Sequence, residues 1–457
     1  MTGGSQMILG LVIGLALLLF LVLKTKCHPF LAMIISASAI GLVGGMEPAN
    51  VINAITVGFG GTLGSIGIII GFGVMMGRLF EVSGAAERMA HTFIKLLGKG
   101  KEEIALALTG FIVSIPIFCD SGFIILAPLA KAISKKTNKS VITLGLSLAV
   151  GLVVTHSVIP PTPGPVGVAG IFNISVGSLM LWGIVTAIPM TIAGLLYAKK
   201  AGRDLYTLID DTNETGFKRV NPESVELNYD VLNEDLSDLP SAFISFAPII
   251  APILLILIKQ ILSLNGSIGT FASIFEFLGN PVIAVGIGLI IAIIGLTGSL
   301  SKKQTLEEME IGVKSAGIIL LVTGAGGALG NVLRTSGAGN YIANLIAQSG
   351  LPAILLPLLI ATLVRLIQGS GTVSMITAAS ISAPILVNLN VNPVFAALAA
   401  CVGSLFFSYF NDSYFWVVSR TLGLTNIKDQ IKAYSMTSTV AWAAGSITVL
   451  VLNALFG

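Results

Sequence analysis

The sequence is poor in charge. Of its 457 residues only 10% are Asp, Glu, Lys or Arg, against roughly a quarter in a soluble globular domain, and 54% are hydrophobic, with a mean hydropathy of +0.94. Too few polar side chains exist to solvate a globular surface, so the chain reads as an all-α polytopic membrane protein lying in a lipid bilayer. A net charge of +3, spread over short loops, gives no basic patch, which excludes nucleic acid as a partner. Cysteine is scarce too: Cys27, Cys119 and Cys401 stand in or beside apolar runs, without disulfide or metal-ligand spacing, and are expected to pack. Neither HExxH nor GxGD occurs, and no GxxxxGK[ST] loop is present for ATP, so neither a metal nor an organic cofactor is expected.

What is there is a series of apolar runs. At about 20 residues per crossing, the first half yields spans near 7–23, 29–45 and 53–76. The run 7–23 lacks a basic leader and is followed by further spans, so it is read as a first crossing and not a cleaved signal. A basic loop then holds Arg78, Arg88, Lys95, Lys99 and Lys101. The apolar block 103–133 is interrupted by Cys119-Asp120-Ser121-Gly122 and flanked by lysines at both ends. Cytoplasmic basic residues at each end make it a re-entrant hairpin with Asp120 at its tip. A broken helix over 141–173 crosses next, and 176–198 returns. The stretch 199–240 carries ten Asp/Glu against five Lys/Arg and is expected to be a partly disordered cytoplasmic linker.

The second half repeats this order, with spans near 242–262, 281–299 and 313–333 and a hairpin over 351–390 tipped by Gln368-Gly369-Ser370-Gly371. A broken crossing near 392–419 and a last span at 436–456 follow. Sequence echoes support a duplication: GRLFEVSGAA at Gly77 to Ala86 against GNVLRTSGAG at Gly330 to Gly339, and the shared Ser-Gly of the two hairpin tips. Five crossings and one hairpin per half make the copies 1–198 and 241–457 inverted repeats with broken helices at the midplane, an architecture of secondary transporters. Both termini then lie outside the cell.

The break itself is THSVIPPTPGPVGVAGIFN, from Thr155 to Asn173. Proline lacks an N–H and clashes with the preceding turn, and unwound backbone at membrane depth is tolerated only against protein or a wet cavity. On this map four ionisable groups lie at depth, Asp120, His156, Arg365 and Asp412, each near a tip or a break. Such charges are costly and are kept for function or pairing. Arg365 either pairs with Asp412 or Asp120, or grips an anionic substrate in bidentate fashion. Asp120 caps the second hairpin helix, carries a proton, or does both. His156 is a proton relay or a packed core residue. Asn411, Asp412 and Ser413 are ligands or helix caps. Ser121, Gly122, Ser370 and Gly371 allow close backbone approach, and the helix N-termini behind them favour an anion.

The motifs THSVIPPTPGP, IPIFCDSGFIILAPLAKAIS and FNDSYFWVVSR together resemble the gluconate permease family of proton symporters, over essentially the full length. The resemblance implies import of gluconate or a related hydroxy acid, or of D-serine or glycerate, with protons, by a cell (inner) membrane protein that forms a homodimer. Carried over by motif, it adds Thr155, Pro160, Pro161, Thr162 and Gly164 to Asp120, Ser121, Gly122, His156, Asn411, Asp412 and Ser413 as site residues. Thr162 and Tyr409 stand where gluconate-type members commonly have His. A passive organic-anion channel and an intramembrane hydrolase built on Asp120 and Asp412 are the competing readings.

Overall fold

Proline marks where many helices begin. Pro29, Pro48, Pro163, Pro281 and Pro393 each open a helix, at positions where the missing N–H has no helical partner and the fixed φ suits the first turn. The structure is a computed structural model that describes residues 3–25, 27–98, 100–210, 212–213, 216–228, 239–264, 270–298, 300–337, 352–389, 391–409 and 412–457.

The first half contains α1 (Gly3–Leu23), α2 (Pro29–Val43), α3 (Pro48–Ser83), α4 (Ala85–Leu97), α5 (Glu102–Val113), α6 (Cys119–Thr137), α7 (Val141–Val158), α8 (Pro163–Phe172) and α9 (Val176–Asp204). Two short strands follow, β1 (Thr207–Ile209) and β2 (Phe217–Arg219), paired antiparallel with Ile209 opposite Phe217. The second half contains α10 (Ala242–Leu264), α11 (Thr270–Leu278), α12 (Pro281–Leu296), α13 (Lys302–Thr335), α14 (Leu355–Gln368), α15 (Gly371–Leu386), α16 (Pro393–Gly403), α17 (Ser413–Thr421) and α18 (Ile427–Gln430). A π-helical turn at Ile431–Ser435 leads into α19 (Met436–Phe456).

Glycine decides how closely these helices approach. A Cβ added to Gly58 of α3 would lie 2.5 Å from the Gly327 carbonyl oxygen of α13. On Gly151 of α7 it would lie 2.1 Å from the Ala107 carbonyl oxygen of α5. In a bilayer, where apolar surface gains little by leaving lipid, such backbone contact supplies the packing. α7 is apolar all round and lies at the centre, against α5, α6 and α9.

Among the described residues five helical stretches are long and apolar enough to cross a membrane: 141–172 (α7 with α8), 176–204, 242–259, 302–335 and 427–456. The multi-pass all-α expectation holds, with several corrections. The crossing expected near 53–76 is α3, 36 residues long, and it bends by 45° between Pro48–Gly64 and Gly67–Ser83. Glycine clusters at the bend, where backbone freedom is greatest. The expected basic loop from Arg78 to Lys101 is mostly helix, because Ala85, Met89, Ala90 and Ile94 recur at helical spacing and bury one face of α4. Arg78 belongs to α3 and binds Glu81 at 2.7 Å and Glu308 of α13 at 2.6 Å.

The linker is also more ordered than expected over 205–210 and 216–228. Phe217 packs on Gly423, Arg219 Nη1 reaches Asp429 Oδ2 at 2.8 Å, and Tyr206 donates to the Asn138 carbonyl at 2.8 Å. The β-pair thereby straps the end of α6 to the turn after α17. The two glycines of the sequence echo, Gly84 and Gly337, have nearly the same left-handed φ, 76° and 77°.

Candidate functional site

α5 and α6 form one helix pair and α14 and α15 another; in each the second helix starts at a Ser-Gly segment. The N-termini of α6, α15 and α17 border a common cavity of about 360 Å³. Each helix start carries roughly half a positive charge from its unpaired N–H groups. Three such ends around one space favour an anion there.

Seven of the residues singled out from the sequence line this cavity: Asp120, His156, Arg365, Ser370, Gly371, Asp412 and Ser413. The buried guanidinium of Arg365 is already held by protein. Nη1 donates to the Gly369 carbonyl, and Nη2 donates to Ser408 Oγ and, at 2.6 Å, to Asp412 Oδ2. Nε is buried without a partner among the described residues. Asp412 also caps α17, its Oδ1 accepting from Tyr414 N at 3.2 Å, while Ser408 Oγ donates to its other oxygen. Of the two roles open to Arg365, pairing with Asp412 is the one this conformation displays.

Asp120 is different. The residue at the N-cap position of α6 is Phe118, so Asp120 sits inside the first turn and does not cap the helix. Its Oδ1 accepts from Ser413 Oγ at 3.2 Å, and its Oδ2 lies 3.7 Å from Cys119 Sγ. No cation pairs with it among the described residues. His156 stacks obliquely on Phe118, ring centroids 5.7 Å apart, and its Nδ1 is buried without a partner among those residues. Ser370 caps α15 through its hydroxyl, which accepts from Val373 N at 3.3 Å.

The other described candidates do not line the cavity. Ser121 follows Asp120 on α6, half-buried. Gly122 serves packing: a Cβ there would meet Leu152 at 2.8 Å. Thr155 is fully buried with its hydroxyl unpartnered among the described residues. Thr162 is buried, and its hydroxyl bonds the Ile159 carbonyl at 2.5 Å. Pro161 is buried at the break, and Gly164 admits the close approach of Met375 and Thr372. The proline-rich break therefore stands behind the cavity wall and supports α15. Asn411 lies outside the described residues.

Sequence reasoning passed over Phe118, Cys119, Ser157, Thr372, Met375, Ser404 and Tyr414, all of which line the cavity. Cys119, read as packing, lines it beside Asp120. Ser157 and Cys119 were legible as neighbours of the charged positions; Ser404 and Met375 carried no local signal.

A multi-pass helical membrane protein with charged groups and helix N-termini around a central cavity belongs to the transporter class. Its fold is similar to that of the YdaH transporter of Alcanivorax borkumensis, with a TM-score of 0.69 at 15% identity over 94% of this chain and 98% of that one. The chain matches the description GntP family permease over residues 6–455, and it belongs to that family. It is 50% identical to an uncharacterized permease of Haemophilus influenzae over 98% of this chain and 93% of that protein. It is 35% identical to the high-affinity gluconate transporter of Escherichia coli strain K12 (96% of this chain, 98% of that protein) and 33% identical to the D-serine transporter DsdX of the same strain (94% of each). The chain is thus a permease and not an enzyme.

Proposed function

We propose that this permease imports a small hydroxy-carboxylate, gluconate or a related sugar acid, together with a proton, binding both in the cavity bordered by the starts of α6, α15 and α17. The observation that carries the reading is the charge arrangement: one paired carboxylate, Asp412 with Arg365, beside one carboxyl, Asp120, that has no counter-ion among the described residues.

With Asp120 ionised, the side-chain charges of Arg365, Asp412 and Asp120 sum to −1 and oppose an anion. With Asp120 protonated they sum to zero, and the three helix N-termini then attract it. A substrate carboxylate about 5 Å from Asp120, at an effective dielectric of about 20, gains about 3 kcal/mol from that protonation. This is about two orders of magnitude in affinity. Anion and proton binding are therefore coupled without a cofactor. His156, beside Asp120 in the cavity wall, is the candidate route for protons into the site.

The cavity volume falls within the range of about 300–1,000 Å³ common for small-ligand pockets. In this reading residues 1–198 and 241–457 are inverted repeats in the cell (inner) membrane, the segment 199–240 is cytoplasmic, both termini are outside, and the protein works as a homodimer. One structural unit moves against the other to expose the cavity alternately.

D-serine or glycerate is the second reading, favoured by Thr162 and Tyr409, which remove two imidazoles that gluconate-type members commonly carry. The deciding experiment is uptake into proteoliposomes under an inward proton gradient, with labelled gluconate, glycerate and D-serine, with and without an uncoupler. Uncoupler-sensitive accumulation of gluconate supports the proposal, accumulation of D-serine or glycerate alone supports the second reading, and mere equilibration indicates an anion channel or uniporter.

A further inference from the structure

Tyr434 has no exposed surface, and its hydroxyl has no hydrogen-bond partner among the described residues. A buried donor left unpaired costs about 1–3 kcal/mol, and most such groups in folded proteins have a partner or an ordered water. Its backbone setting is unusual as well. Tyr434 stands in the π-helical turn Ile431–Ser435, a rare local geometry often found at functional sites.

The turn connects two environments. Lys432 points outward, its Nζ 2.9 Å from Asp204 Oδ2, and its carbonyl accepts from the Tyr197 hydroxyl at 3.1 Å. Two residues on, the Tyr434 ring packs edge-on against Tyr414, centroids 5.4 Å apart, and Tyr414 lines the cavity. Asp412 caps α17, and α17 packs on the turn that carries Tyr434. The Tyr414 hydroxyl is engaged with the Ala149 carbonyl at 3.3 Å. Two further buried hydroxyls, Ser435 and Ser419, have no partner among the described residues, and Ser419 belongs to α17, which packs on the same turn. One turn of chain thus joins orphaned hydroxyls, packed against a cavity-lining ring, to a charged surface.

We propose that Tyr434 relays the proton out of the cavity, toward the surface at Lys432 and Asp204, through water held by the Ser419 and Ser435 hydroxyls. A proton leaving Asp120 passes through water to the Tyr434 oxygen as the tyrosine's own proton passes to a water on the surface side. The carboxyl ends ionised, the tyrosine neutral, and the released proton goes to bulk water. Rotation of the hydroxyl resets the relay. The inference rests on the proton-symport reading above.

The test is Tyr434→Phe in proteoliposomes. The substitution removes an oxygen that has no partner among the described residues, so a merely structural role predicts unchanged stability and transport. The probe is whichever of labelled gluconate, glycerate and D-serine the wild type accumulates. Two rates are measured: accumulation under an inward proton gradient, and exchange of labelled for unlabelled substrate at equal pH. Tyr434→Phe is expected to lower accumulation at least about tenfold, the lower side of what a positioned proton-transfer group contributes, while exchange stays near the wild-type rate. Ser419→Ala, a second and milder variant, is expected to move accumulation the same way. Wild-type accumulation by Tyr434→Phe, or a parallel loss of exchange, overturns the relay. Wild-type uptake that ignores the proton gradient overturns the symport reading itself, and the relay with it.

Discussion

Ser413 donates a hydrogen bond to Asp120, Oγ to Oδ1 at 3.2 Å, joining residues 293 positions apart in the chain. The contact sits where the start of α6 meets the start of α17, so the carboxyl that lacks a counter-ion among the described residues joins the two halves of the protein. On the proposed mechanism, a proton arriving at Asp120 alters the contact between the halves as well as the charge of the cavity.

Asp120→Asn holds the site permanently in its neutral charge state. Substrate exchange is expected to persist and to lose its pH dependence, whereas gradient-driven accumulation falls to equilibration. Full accumulation by this variant in proteoliposomes would exclude Asp120 as the proton carrier.

The Arg365 and Asp412 pair makes a different prediction. Removing one member of a buried ion pair strands the other and costs about 3–5 kcal/mol, whereas replacing both by apolar residues is often nearly neutral. Asp412→Asn and Arg365→Gln should each lower the melting temperature in detergent more than the double variant Arg365→Met with Asp412→Leu. All three should abolish transport. Singles that melt like the wild type would show that the pair is not formed in the native protein.

Glycine substitutions separate backbone contact from side-chain contact. Gly151→Ala drives a Cβ into the Ala107 carbonyl oxygen, and neither backbone can yield, so a cost at the upper part of the about 1–3 kcal/mol range for overpacking is expected. Gly164→Ala meets the flexible Met375 side chain at 2.8 Å and should be better tolerated. Yield and melting temperature of the two variants check the order; a more damaging Gly164→Ala would contradict it.

Lys139, in the α6–α7 loop, lies 2.6 Å from Glu102 and 2.7 Å from Glu103, and also donates to the Gly100 carbonyl at 2.9 Å. Burial weighs against its charge, but its bonds and attraction to Glu102 and Glu103 outweigh that, holding its pKa above the ordinary 10.5. For a cation whose folded pKa is raised, the stabilisation is fully present below the unfolded pKa and is lost as pH rises through the folded one. Lys139→Gln should therefore lower the melting temperature at neutral pH, and the gap to wild type should narrow above about pH 10.5. A gap that does not change with pH would assign the Lys139 effect to packing.

Much of the fold could be read from local signals. Hydropathy revealed a membrane protein because 54% apolar residues leave no other solvent for the surface. Prolines at 29, 48, 163, 281 and 393 mark helix starts in the structure because ring and missing N–H act on their own turn. α4 and the β1–β2 pair were missed: counting charges over 78–101 and 199–240 obscured a buried stripe at Ala85, Met89 and Ile94 and the apolar anchor Phe217.

The candidate site divides in the same way. Sequence alone determined that Asp120, His156, Arg365 and Asp412 were the few ionisable groups set among apolar runs, since that depends only on neighbours in the chain. Tertiary packing alone decided that Arg365 faces Asp412 while Asp120 faces Ser413, and that Thr155, Thr162 and Gly164 stand behind the cavity while Ser404 and Met375 line it. Those choices depend on how α7, α14, α15 and α17 pack across hundreds of residues, and a side chain's immediate neighbours carry no information about them.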